Sequence, residues 1–158
     1  MNMSQQNLMR KVVRHEATIQ ASVEKIFPLL CPVREYEWID GWSCRLAFSS
    51  SGIAERGAVF TTGFREEGES VWTMSRYEPN RLIEFVVVFP GSHVLVAEVS
   101  LRPDGPSGTC LSWSAAFTSL VENNPYLAGV SQESFDREQA YFDRALGHFC
   151  ATGTMLRR

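Results

Sequence analysis

Hydrophobic and polar residues alternate most clearly between Val71 and Phe117. One set of alternate positions runs Trp72-Met74-Arg76, Ile83-Phe85-Val87-Phe89, His93-Leu95-Ala97-Val99-Leu101 and Leu111-Trp113-Ala115-Phe117. The opposite set carries Thr73, Ser75, Glu84, Glu98, Ser100, Arg102, Ser112 and Ser114. Turn signals at Glu78-Pro79-Asn80-Arg81, Pro90-Gly91-Ser92 and Asp104-Gly105-Pro106-Ser107-Gly108 fold these runs back on one another. The expected product is an antiparallel sheet with an apolar face and a wet face, and with Arg76 and His93 set among the large apolar residues.

Upstream, Lys11 to Gln20 alternates as a half-buried strand that points Val13, His15, Ala17 and Ile19 inward. Ser22 caps an expected helix over Val23 to Leu30, shortened or bent by Pro28, and Pro32 opens a second over Val33 to Ile39. Gly41 ends the pair; strands follow over Trp42 to Phe48 and over Ala58 to Arg65, where Phe60, Thr62 and Phe64 share a face with Ala58. A turn of helix is expected over Asn124 to Ala128. The last element is a helix from about Ser131 to Thr152 with a stripe of Phe135, Phe142, Leu146 and Phe149, ended by Gly153. The order predicts an α+β fold: a curved seven-stranded antiparallel sheet wrapped around a long C-terminal helix, with two short helices between strands 1 and 2. A sheet bent that far separates from its helix somewhere, and the gap is a pocket.

With 158 residues, 44% hydrophobic and 21% charged, the chain reads as a single domain over residues 11–155 behind a flexible N-terminus, 1–10. A net charge of −3 provides no electrostatic case for nucleic acid or an anionic membrane. No apolar run approaches the ~20 residues that span a bilayer, and the N-terminus lacks a secretory h-region, so stable membrane insertion is not expected and a cytoplasmic location is. The cysteines Cys31, Cys44, Cys110 and Cys150 show no paired spacing and read as reduced, mostly buried thiols. No metal-ligand cluster, phosphate loop, nucleophile elbow or dinucleotide fingerprint is present in the sequence, so no cofactor is expected.

The order of elements and the phrases Cys31-Pro32-Val33-Arg34-Glu35-Tyr36-Glu37-Trp38-Ile39, Val71 to Pro79, and Ile83-Glu84-Phe85 leading to Pro90-Gly91-Ser92 resemble the SRPBCC superfamily, which joins START, birch-pollen-allergen and polyketide-cyclase proteins. The resemblance covers roughly residues 11 to 155 and implies the helix-grip fold. It carries no catalytic motif of one enzyme branch, and function must be argued from the site.

The expected ligand cup is lined by Phe60, Thr62, Phe64, Trp72, Met74, Phe85, Val87, Leu95, Trp113 and Phe117 from the sheet and by Phe135 and Phe142 from the helix. His15, Arg76 and His93 are the candidates to orient a polar end. Glu35 or Glu37 either guards the entrance or pairs with Arg34 or Arg45. Three readings follow: a binder or transporter of a small hydrophobic ligand (lipid, polyketide or aromatic metabolite), a polyketide cyclase/dehydratase-like enzyme using a cavity histidine, and a protein-interaction module. The enzyme reading wants an inward carboxylate on a strand, and alternation supplies none. The interaction module would expose Trp38 and Trp42, or the outward valines Val86, Val88, Val94 and Val96, which also suit a homodimer contact.

Overall fold

The computed structural model describes residues 8–63 and 68–158. Strands β1 (Arg10–Ile19), β2 (Cys44–Phe48), β3 (Val59–Thr62), β4 (Ser70–Glu78), β5 (Leu82–Phe89), β6 (His93–Asp104) and β7 (Gly108–Ser119) form one antiparallel sheet in the order β1-β7-β6-β5-β4-β3-β2. Consecutive hairpins build β2 to β7, and β1 then closes on β7. Helix α1 (Val23–Ile26) passes at Phe27 into a 3-10 turn, Phe27–Leu30, because Pro28 has no N–H to continue the α pattern. The second expected helix is only a 3-10 turn, Glu35–Glu37. Helix α2 (Pro125–Gly129) is capped by Asn124, whose side-chain oxygen accepts from the Tyr126 and Leu127 N–H groups. Its amide donates to the Ser92 carbonyl, tying α2 to the β5–β6 turn.

The long helix α3 (Gln132–Thr152) begins where the sequence pattern places it. Ser131 accepts from the Ser134 N–H at 3.1 Å and its own N–H donates to Ser134 Oγ at 2.9 Å. Gly153 takes φ 71° and donates its N–H to the Phe149 carbonyl, an ending that a side-chain-bearing residue would adopt only under strain.

Cross-strand register sorts the inner face into rows. One row runs Phe60, Trp72, Val87, Leu95, Phe117; the next runs Met74, Phe85, Ala97, Ala115, Val13; a third runs Tyr77, Ile83, Val99, Trp113, His15. The middle row puts two alanines side by side at its centre, between rows of larger side chains. The main core lies toward α1 and the C-terminal half of α3, around Ile26, Phe27, Leu29, Leu111, Ala145 and Leu146. A smaller cluster of Val13, Ala115, Phe117, Leu127 and Phe135 fills the other end. The hollow left by Ala97 and Ala115 falls between the two.

A register shift between Met74 and Arg76 breaks the alternation of β4. The expectation that Arg76 joins the apolar face is therefore incorrect. Arg76 stands opposite Glu84 on the wet face and pairs with Glu78 at 2.9 Å and Glu98 at 3.4 Å, while Tyr77 turns inward against Phe27.

Candidate functional site

The cavity between sheet and α3 has a volume of about 160 Å³. The sheet supplies Phe60, Thr62, Ser70, Trp72, Phe85, Phe89, Leu95, Ala97, Val99, Trp113, Ser114, Ala115 and Phe117. Phe135, Glu138, Gln139 and Phe142 of α3 form the roof, Tyr126 of α2 closes one end, and Glu35, Trp38, Ile39 and Trp42 close another. The rings brace each other. Phe60 stacks on Trp72 with centroids 5.4 Å apart, and Phe85 meets both edge-on at 6.0 and 5.6 Å. Trp38 meets Phe142 edge-on at 6.5 Å. Walls held this way resist collapse into the hollow.

Of the residues expected to line the cup, Phe60, Thr62, Trp72, Phe85, Leu95, Trp113, Phe117, Phe135 and Phe142 come together around this cavity. Met74 and Val87 are buried in the core and are not among its lining residues. Phe64 lies outside the described residues. Trp38 and Trp42, which the interaction-module reading offers as one candidate for an exposed patch, instead point inward: Trp38 donates its indole N–H to the Leu29 carbonyl and Trp42 to the Pro32 carbonyl, both at 2.8 Å.

Neither strand histidine faces the cavity. His93 is 1% exposed, stacked between Phe89 at 4.3 Å and Tyr126 at 4.5 Å. Its Nδ1 meets Ser92 Oγ at 2.9 Å, and burial lowers its pKa, so it stays a neutral ring behind the wall. His15 does face α3, but both its nitrogens are taken, by Asp136 at 2.8 Å and Asp143 at 2.7 Å. Burial pulls its pKa down, and the two carboxylates more than offset that and raise it above 6.5. His15 is thus a clasp between β1 and α3. His148 meets Thr154 Oγ1 at 3.2 Å, away from the cavity.

The polar groups of the cavity belong partly to residues that alternation names, Thr62, Trp72 and Trp113, and partly to residues it does not, Ser70, Gln139 and Glu35. Trp72 Nε1 is satisfied by Ser70 Oγ at 2.8 Å and Thr62 Oγ1 at 3.1 Å. Trp113 Nε1 and Gln139 Oε1 have no hydrogen-bond partner among the described residues, although both side chains line the cavity. They belong to one neighbourhood: Trp113 pairs with His15 across β1 and β7, and His15 holds Asp136 and Asp143, which bracket Gln139 on the same face of α3.

Glu35 is the other polar residue. Arg34 closes on Glu37 with bonds of 2.8 and 3.0 Å, and Arg45 reaches Glu69 at 3.5 Å, so neither arginine neutralises it. Glu35 lines the cavity, and desolvation there pushes its pKa up to about 8. It is a protonated acid at neutral pH. A sequence signal for it exists: Glu35, Trp38 and Ile39 stand at i, i+3 and i+4, the spacing of one face of a helical turn. Gln139 carries the same signal, lying between Phe135 and Phe142 on the stripe of α3.

Among the described residues no cluster of His, Cys, Asp and Glu is arranged to hold a metal ion, and the four cysteines are unpaired. No described helix is long and apolar enough to cross a membrane.

Solved structures share this architecture at low identity. Norcoclaurine synthase from Thalictrum flavum, a point mutant in complex with a transition state analogue, superposes with a TM-score of 0.69 at 13% identity, covering 91% of this chain and 96% of that one. The Mll3558 protein from Rhizobium loti gives 0.62 at 18% identity, with 89% and 97% covered. Ara h 8.0201 gives 0.65 at 11%, with 91% and 99% covered. No protein among the curated sequences matches. These likenesses establish the helix-grip fold. The family model described as polyketide cyclase / dehydrase and lipid transport matches residues 10–143, from the first residue of β1 into the helix that roofs the cavity. The chain belongs to that family, within the SRPBCC superfamily.

Proposed function

We propose that this protein binds a small, largely apolar molecule of about one ring's size in the cavity between sheet and α3, with a single hydroxyl or similar group held by Trp113 and Gln139. The observation that carries this reading is the pairing of an aromatic-walled hollow with a buried donor and a buried acceptor that lack partners. A cavity of about 160 Å³ is close to the ~150 Å³ apolar cavity known to accept benzene. A ligand that buries ~150 Å² of apolar surface there gains about 4 kcal/mol before entropy costs, consistent with weak to micromolar binding. The family's description, which includes lipid transport, supports hydrophobic cargo in general; the volume favours a compact ring over a long acyl chain. In thermal-shift titrations benzyl alcohol should raise the melting temperature. Gln139→Leu should weaken benzyl alcohol about 5- to 10-fold and leave toluene unchanged. If neither compound shifts the transition and ligand-soaked crystals show a filled interior, the reading fails.

A catalytic reading is favoured by one observation, the Glu35 carboxyl at the cavity wall. An acid poised near neutral pH suits proton donation to a carbonyl or hydroxyl, the role the cavity histidine was expected to play. Turnover of a cyclisation or dehydration substrate lost in Glu35→Gln, with binding kept, would support it. On the outer face, Val86 pairs with Val96 and Val88 with Val94, and Val88 adjoins the exposed Val71, an apolar strip that suits a second copy. Light scattering after size exclusion should then report twice the monomer mass.

A further inference from the structure

Among the described residues, the two ionisable carboxyl groups that line the cavity are Glu35 and Glu138, and no lysine, arginine or histidine lines it. Glu138 has interactions of its own. The Glu35 carboxyl has no hydrogen bond or ion pair among the described residues, since Arg34 is held by Glu37. A partly desolvated carboxyl on an aromatic cavity wall, without a partner, either keeps its proton or takes a cation from outside. Two further observations point to the cation. The cavity that Glu35 lines is aromatic, with Trp38, Phe60, Trp72 and Phe85 on it, and ring faces attract a desolvated ammonium. Gln139, only 7% exposed, lines the same cavity and carries an acceptor oxygen with no partner among the described residues. Among the described residues, Glu35 and Gln139 thus call for donors and for positive charge, and the volume limits the molecule to about one ring and a short arm.

We propose that the cavity selects a small aromatic primary amine, bound as its ammonium, with Glu35 as the counter-ion. This deepens the ring-binding reading and rests on it. Because Glu35 is protonated in the empty cavity below about pH 8, binding has a proton balance. The ammonium enters, the Glu35 O–H bond breaks, the carboxylate pairs with the ammonium, and one proton leaves to the buffer. The other titratable groups around Glu35 are Glu138 of α3, the thiols of Cys31 and Cys44, and the mutually paired Arg34 and Glu37 of its own turn. Cys44 has its pKa raised by burial and stays neutral through this range.

The test compares benzylamine with its neutral isostere benzyl alcohol by isothermal titration calorimetry on the full chain. Each is run at pH 6, 7 and 8 in two buffers of different ionisation enthalpy. The amine should bind about tenfold more tightly than the alcohol at pH 8, tighten from pH 6 to 8, and release close to one proton at pH 7. Glu35→Gln should erase the preference and the proton release while keeping alcohol affinity, and Glu35→Asp should restore part of both. If the alcohol binds as tightly as the amine at pH 8, or amine binding releases no proton, the amine proposal is overturned and the ring-binding reading stands. If neither compound binds wild-type protein, both fall together.

Discussion

At the residue scale, side chains that looked alike in the sequence divide by what surrounds them. His15 and His93 both sit on inward strand positions, yet one clasps two carboxylates, which raise its pKa, and the other is a stacked ring whose pKa burial lowers. The His15 clasp has a pH signature. Its folded pKa lies above 6.5, so its stabilisation is fully present below that value and fades as pH rises through the raised one. Asp136, lowered chiefly by its bond to His15, adds stability that is lost as pH falls below its ordinary 3.8. Asp143 has the opposite sign, because burial outweighs His15 and raises it. The bond to Asp143, between side chains 15% and 14% exposed, contributes about 1 kcal/mol after solvent screening. His15→Ala should therefore lower the melting temperature by about 2–4 °C at pH 6 and by clearly less at pH 9. An equal loss at both values would show that His15 acts through packing alone.

At the element scale, the strands and the long helix follow their patterns closely, and departures trace to single backbone events. The bulge before Arg76 costs one register step and moves a guanidinium from the core side to water, a displacement that side-chain alternation cannot signal. Pro28 converts the second half of the first helix to a 3-10 turn. The cap of α3 is the Ser131 side chain, and it matters because this helix is the roof. Ser131→Ala removes an N-cap worth about 1 kcal/mol and should lower the melting temperature by about 2–4 °C in thermal unfolding. Because the cap is remote from Gln139, ring affinity measured at 25 °C should stay unchanged.

At the scale of the whole molecule, the cavity is a consequence of two small residues at the centre of a strongly curved sheet. Large rings on the neighbouring rows hold the helix away from the sheet, and Ala97 and Ala115 do not fill the gap. Ala97→Phe should therefore enter the hollow without loss of thermal stability and abolish ligand-induced stabilisation by ring compounds. In an already filled core the same change would cost about 1–3 kcal/mol through overpacking. Unfolding curves of the variant with and without benzyl alcohol distinguish these outcomes.

The fold and most of the sheet side of the cup were readable because alternation, turn residues and the stripe of the last helix are local properties, set by neighbours a few positions away. Nine of the residues named from those patterns line the cavity. The chemistry was decided by tertiary structure. Whether Glu35 meets Arg34 or a hollow, whether His15 is spent on the helix, and whether Trp113 and Gln139 find partners all depend on segments distant in the chain that approach within hydrogen-bond reach, and a one-dimensional pattern carries no such distances.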